Sequence, residues 1–160
     1  MNEHSPQVPL LQLDWAWNAF AELSSNQLYQ ILQLRQQVFV TEQQCAYDDI
    51  DNRDQDAFHL RGTDSANQTL QAYLRVLPPG THFEEPSIGR VVTATASRGC
   101  GLGHELIRRS VVFCRDRFPR TAVRISAQAH LQLFYAAHGF VSVTAEHFID
   151  RIPHVEMLLR

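Results

Sequence analysis

The sequence predicts an α/β fold, a mixed α+β sheet with helices packed on it, and three observations carry that reading. Apolar runs with a strand period and with a helix period alternate through the middle of the chain. Hairpin-like pairs of strand runs stand at either side of that middle. The length, 160 residues, suits one domain with a single substantial core. The expectation is therefore a single domain over residues 1–160, with residues 1–9 a flexible start.

In order along the chain, "LDWAWNAFAEL" reads as the first strand. "SSNQLYQILQLRQQVFVTEQ" follows as a helix, with Ser24 as its N-cap and Gln27, three residues on, as the capping-box partner. Leu28, Ile31, Leu32, Val38 and Phe39 share one face of that helix. The acidic stretch "YDDIDNRDQD" is a loop. Strand-like runs at 58–62 and 70–77 flank the polar turn "TDSANQ". "PPGTHFEEP" breaks the chain, and "SIGRVVTA" then has the pattern of a buried strand. Leu102, Leu106, Ile107, Ser110, Phe113 and Cys114 form the inner face of a second helix that ends by Pro119. "TAVRISA" is a strand and "HLQLFYAAH" a short helix stopped by Gly139 at C′. "FVSVTAEHF" and "HVEMLL" close the chain as strands, which makes about seven.

Composition removes several function classes. Hydrophobic residues at 44% and charged residues at 19% are those of an ordinary globule. A formal charge of −3 and the lack of any basic run give no reason to expect nucleic acid. No apolar run approaches the ~20 residues of a membrane span. The start, "MNEHSPQVPL", has neither a basic n-region nor an apolar h-region and does not read as a signal peptide. Cys45, Cys100 and Cys114 are odd in number and form no C-x-x-C pair, which reads as a reduced, cytoplasmic chain.

"RGCGLG" (98–103) stands between a strand and a helix. It is not a dinucleotide loop, because His104 or Leu106 occupies the place of the third glycine. Nor is it a nucleotide P-loop, which needs Gly-Lys-Ser/Thr where His104 and Glu105 stand. Two readings remain. The free N–H groups of the helix's first turn can receive a pyrophosphate, with Gly101 and Gly103 removing the Cβ atoms in its way and Arg98 adding a cation. Alternatively, the glycines only permit a tight strand–helix connection.

"RVVTATASRGCGLGHELI" resembles the coenzyme A-binding motif of the GNAT superfamily of N-acetyltransferases, whose loop reads Arg/Gln-x-x-Gly-x-Gly/Ala. "ISAQAHLQLFYAAHGF" is similar to the second GNAT motif, in which a strand leads to a short helix with a tyrosine shortly before Gly-Phe. "QLYQILQLRQQVFVTEQQCAYDDID" narrows the resemblance to the ElaA-like subgroup, and it extends from about Leu23 to Leu159. It implies a GNAT-like acyl-CoA N-acyltransferase fold, with a central mixed sheet whose fourth and fifth strands splay apart to hold the pantetheine arm. Carried over, Val91, Val92 and Thr93 offer backbone groups to the pantetheine, one N–H polarising the acyl carbonyl. The backbone of Arg98, Gly99, Cys100, Gly101, Leu102 and Gly103 holds the pyrophosphate, and Tyr135 is the general acid to the departing thiolate. Three departures stand out. Cys100 replaces a frequent lysine or arginine, Thr93 a usual apolar residue, and His130 lies where many members place an asparagine whose role is not carried over.

Single residues also have plainer readings. Tyr135, spaced helically with Leu131, Phe134 and His138, fits the core edge as well as catalysis. Arg35 falls in the apolar face and wants a carboxylate, from Glu42 or from the acidic loop. That loop (Asp48, Asp49, Asp51, Asp54, Asp56) fails as an EF-hand. It reads as a solvated run, or as an attraction for a cationic amine. Glu42, His59 or a chain of waters could act as general base, and none is singled out. Cys100 has no histidine partner fixed by spacing for a covalent route. No metal-ligand spacing occurs among the eight histidines.

The resulting expectation is an N-acetyltransferase that transfers an acetyl group from acetyl-CoA to a primary amine by direct attack, with Tyr135 as general acid and no metal. The partners expected are acetyl-CoA and an amine acceptor, small or on a peptide or protein, with no nucleic acid and no membrane. Monomer and homodimer are both open. The first rival is a non-catalytic acyl-CoA-binding or sensing protein on the same scaffold, which keeps the loop without needing Tyr135. The second is an interaction protein whose loop binds nothing.

Overall fold

The computed structural model describes residues 11–160, and the flexible start expected at 1–9 lies outside them. The elements run β1 (Leu13–Ala19), α1 (Ser25–Arg35), β2 (Phe58–Asp64), β3 (Leu70–Leu77), β4 (Ser87–Thr93), α2 (Leu102–Arg117), β5 (Val123–Gln128), α3 (Gln132–Ala136), β6 (Val141–Ser142), β7 (His147–Ile149) and β8 (Ile152–Leu159). They form one sheet in the order β1-β2-β3-β4-β5-β8-β6, with β7 also on β8. Its pairings are antiparallel except for β4 with β5, which are parallel. The sheet has eight strands, one more than the sequence suggests. The extra one arises because the run read as one strand, "FVSVTAEHF", is divided into β6 and β7, which pair separately with β8, and Asp150 and Arg151, both with positive φ (48° and 67°), make the turn from β7 into β8.

The cap read from the sequence forms. Ser24 Oγ accepts from Gln27 N at 3.2 Å, and Gln27 Oε1 accepts from Ser24 N at 3.0 Å. The buried stripe of this helix is Ile31, Leu34, Arg35 and Val38, spaced i, i+3, i+4, i+7, so Leu28 and Leu32 sit on its flanks, half-buried. After Arg35 the helix widens into a π-helical segment, Gln36–Glu42. The first strand stops at Ala19, earlier than its apolar run suggests, and Phe20–Glu22 is a 3₁₀ turn.

The sheet carries helices on both faces. Alternation along β3 puts Tyr73 with Ile31, Leu34, Val38 and Val92 under α1, while Ala72 and Leu74 face the other way with Leu106, Ile107, Ile125, Phe140 and Met157. Burying each large side chain of that second cluster supplies about 1.5–3 kcal/mol. Strands β3 and β4 contribute to both clusters and β5 to the second through Val123, Ile125 and Ala127, and the candidate site lies between β4 and β5.

Candidate active site

Strand β4 contains a bulge. Tyr73 pairs with Val92 and Arg75 with Gly89, so Leu74 on β3 opposes two residues, Arg90 and Val91. Arg90 takes φ 54°, a conformation that costs a non-glycine residue about 1–3 kcal/mol. Side-chain contacts hold it there. Nε lies 2.7 Å from Asp49 Oδ1, off the hydrogen-bond direction and so an ion pair only. Nη2 donates to the Asp49 carbonyl at 3.0 Å, and the guanidinium covers the Tyr47 ring. The bend turns β4 away from β5. Their pairing is limited to Ser87 with Arg124 and Ile88 with Ile125, and beyond that the β5-facing edge of residues 89–93 has no strand beside it.

The gap is a cleft of about 720 Å³. Val91, Val92, Thr93, Arg98, Gly103 and Tyr135 all line it, so the strand, the loop and the tyrosine named from sequence meet in one place. Gly99, Cys100, Gly101 and Leu102 lie outside that lining, along the loop that leads away from it. Gly99 and Gly101 have φ of 80° and 77°, and a Cβ on either would meet nothing within 4 Å, so the loop's surroundings are open. Gly103 has a packing reason of its own, since a Cβ there would stand 3.4 Å from Phe134 Cζ between α2 and α3. Gly101 is the residue before α2, whose first-turn N–H groups point towards the loop.

Tyr135 is buried, its ring edge-on to Phe134 and Phe140. Burial pushes its hydroxyl up to about 12, so it keeps its proton at neutral pH. Ser126, on β5, also lines the cleft. Its Oγ is buried with no hydrogen-bond partner among the described residues.

The mouth of the cleft is spanned by the last residue of the π-helical segment and those that follow it. Glu42 accepts two hydrogen bonds from Arg98, at 2.7 and 2.9 Å, and one from Thr95. Gln43 accepts from Gln128 Nε2 at the end of β5, and Cys45 Sγ donates to the Asp150 carbonyl in the β7–β8 turn. The Arg98 cation expected beside a phosphate is therefore paired with a carboxylate, and the hydrogen bonds from Arg98 hold the Glu42 carboxyl below the usual carboxylate range.

The acidic loop is not the solvated run expected from its composition. Asp49 and Asp54 are buried, and three arginines from three elements converge on the loop. Arg35, fully buried on α1, donates to Asp49 Oδ2 and to Asp54 Oδ1, each at 2.8 Å, so its carboxylates come from this loop and not from Glu42. Arg75 on β3 binds Asp54 and, through two donors, Asp51, while Arg90 comes from the bulge. Burial pulls the Asp51 and Asp54 carboxyls up, but the arginines outweigh it and hold both below the usual range.

His59, one sequence candidate for a base, is structural. Its Nε2 donates to the Asp54 carbonyl at 2.9 Å, its Nδ1 lies 2.8 Å from the Tyr73 hydroxyl, and burial lowers its pKa, so the ring is neutral with both nitrogens engaged. Cys100 is exposed at the surface and Cys114 is buried, its thiol pushed up to about 12 by burial. Among the described residues no cluster of three or more metal-ligating side chains occurs, and no helix is long and apolar enough to cross a membrane. Sequence reasoning missed Tyr47, His82, Ser126 and His154 as cleft residues. Strand alternation does place His154 and Glu156 opposite the buried Val155 and Met157, but only the splay makes that face a wall.

Comparison with known proteins agrees with this fold. Residues 36–160 match the acetyltransferase (GNAT) domain. Protein ElaA of Escherichia coli is 42% identical over 147 residues, 91% of this chain and 95% of that protein. The crystal structure of E. coli ElaA superposes with a TM-score of 0.86, covering 93% of this chain and all of that one. The crystal structure of an acyl-CoA N-acyltransferase from Pseudomonas aeruginosa is 43% identical with a TM-score of 0.87, again covering 93% of this chain and 100% of that chain.

Proposed function

The chain belongs to the GNAT acetyltransferase family, which makes it an acyltransferase that draws on an acyl-CoA, and on that premise we propose that it transfers an acetyl group from acetyl-CoA to a primary amine. One observation carries the reading: the β4 edge at residues 89–93 lies unpaired in the same cleft as Tyr135.

The residues present fit an acyl-CoA. Val91, Val92 and Thr93 offer main-chain hydrogen bonds to an extended pantetheine, as a neighbouring strand would. Ser126 Oγ, buried without a partner among the described residues, is completed by a polar atom placed in the gap. The open loop Arg98, Gly99, Cys100, Gly101, Leu102 and Gly103, with the first turn of α2 behind it, receives the diphosphate. When bound, acetyl-CoA supplies a thioester carbonyl and a thiolate leaving group. A β4 N–H beside that carbonyl stabilises charge on its oxygen, and Tyr135, protonated at neutral pH, gives its proton to the sulfur. Three cysteines with no disulfide among them suit the reducing cytoplasm.

The test is a calorimetric titration with acetyl-CoA of the wild type and of Gly101→Asp, followed by release of coenzyme A thiol against a panel of primary amines. Binding that the variant loses, with amine-dependent thiol release, supports the reading. A folded wild type that binds no acetyl-CoA removes it.

A further inference from the structure

Amine attack on a thioester needs a group to take the amine's proton, and the other carboxylates and histidines near the cleft are either engaged elsewhere or left without a hydrogen bond to orient them. Both oxygens of Glu42 are taken by Arg98, Asp51 is held by Arg75, and both nitrogens of His59 are bound outside the cleft. His82, His130, Asp48 and Asp150 also line the cleft, but no hydrogen bond among the described residues anchors any of these side chains.

His154 differs. It lies on β8 directly opposite Gln128, the last residue of β5, and lines the cleft with Tyr135. Its Nδ1 is 2.7 Å from the Ile152 carbonyl oxygen. A carbonyl can only accept, so Nδ1 carries the hydrogen and, in the neutral ring, Nε2 carries the lone pair. Nε2 makes no hydrogen bond among the described residues. One nitrogen is thus fixed to the backbone while the other is left bare at the cleft wall, which is the arrangement that orients an imidazole base. On the same face, one position diagonally along β5, stands the unpartnered Ser126 hydroxyl.

The geometry points to His154 as the general base of the transfer, its Nε2 taking the proton that the acceptor amine loses. The assignment rests on the acetyltransferase reading above. The amine nitrogen gives one proton to Nε2 and bonds to the acyl carbon as the carbon–sulfur bond breaks. The sulfur takes a proton from Tyr135, and solvent then recovers the proton from His154 and restores that of Tyr135. No oxidant or further reactant is needed. The charged and titratable groups on the elements around His154 are Glu156 and Arg124, which bind each other, His147 opposite it on β7, Asp150 and Arg151 in the β7–β8 turn, His130 in the turn after β5, and Glu42, His82 and Tyr135 elsewhere in the cleft lining.

Two variants separate the base from the fold. Asn in His154→Asn keeps a donor near the Ile152 carbonyl and removes Nε2, whereas Gln in His154→Gln reaches the Nε2 position with an amide that cannot accept a proton. Nitrogen NMR of ¹⁵N-histidine-labelled protein saturated with acetyl-CoA should show a ring, absent from both variants, protonated at Nδ1 and bare at Nε2. Thiol release from acetyl-CoA is then followed against pH with the amine panel, or with water as acceptor where no amine is used. Both variants should lose roughly 100-fold or more in kcat and the acidic limb of the pH profile, while their calorimetric affinity for acetyl-CoA stays within about twofold of wild type. A ring protonated at Nε2 when neutral, or variants with wild-type rates and an intact acidic limb, overturns the assignment. A wild type that binds no acetyl-CoA removes the transferase reading instead, and the assignment falls with it.

Discussion

Arg98 and Glu42 are joined by two parallel hydrogen bonds, 2.7 and 2.9 Å long, across the mouth of the cleft, between the glycine loop and the residues that follow α1. The pair competes with any anion that the loop receives, because a guanidinium satisfied by a carboxylate must release it to meet a phosphate.

Glu42→Gln should therefore tighten acetyl-CoA binding several-fold at low salt, with the gain shrinking as salt is raised. Calorimetry at two ionic strengths checks this. Equal affinities for wild type and variant at low salt would mean that Arg98 never meets the diphosphate.

Tyr135→Phe should lower kcat by roughly 100-fold or more while leaving the acetyl-CoA dissociation constant unchanged. Folding should hardly change, because the lost hydroxyl makes no hydrogen bond among the described residues and the rest of the ring keeps its packing against Phe134 and Phe140. Steady-state rates beside calorimetry give both numbers. Undiminished turnover would pass the role of acid to solvent.

Arg35→Met should destabilise the fold by about 3–5 kcal/mol, since it leaves Asp49 and Asp54 buried with one cation fewer. Urea unfolding measures the loss. A smaller loss would mean that Arg75 and Arg90 suffice to neutralise the loop.

The same network sets the acid limit. The Asp51 and Asp54 carboxyls have lower pKa values folded than unfolded, so in acid the unfolded chain binds more protons. Their contribution is complete above the unfolded value of about 4 and drains away as pH falls below it. Unfolding free energies measured from pH 7 down to pH 3 should decline over the acid end, and less steeply in Asp51→Asn.

Gly62→Ala should cost about 1–3 kcal/mol by overpacking, because the new methyl would lie 2.8 Å from Cζ3 of Trp15 on the neighbouring strand. Thermal unfolding reads it. A neutral result would mean that the indole shifts freely.

Much of the architecture is legible without coordinates, because it depends on near neighbours. The Ser24–Gln27 cap, the inner face of α2 and the helix stop before Pro119 are set by residues within a turn or two of one another. The candidate site is legible in the same way where it is local: the glycines of 98–103 announce a loop, and Tyr135 sits one short helix beyond β5. Charge is legible only in part. Arg35 in an apolar stripe called for a carboxylate, but sequence could not tell Glu42 from the aspartates, and the loop's composition argued for solvent. The stripe itself centres on Ile31, Leu34, Arg35 and Val38, a set blurred by the apolar flanks Leu28 and Leu32.

The sequence by itself determined the order of strands and helices, the ends of the helices and the family, since apolar period, capping and loop chemistry act over a few residues. Tertiary structure alone decided where β4 leaves β5, which carboxylates the three arginines neutralise, and that the His154 imidazole, fixed at Nδ1 by a backbone carbonyl, lines the cleft. Those outcomes depend on groups far apart in the chain, and an ion pair or a tautomer is set by the atom that lies within 3 Å, which no spacing along one strand specifies.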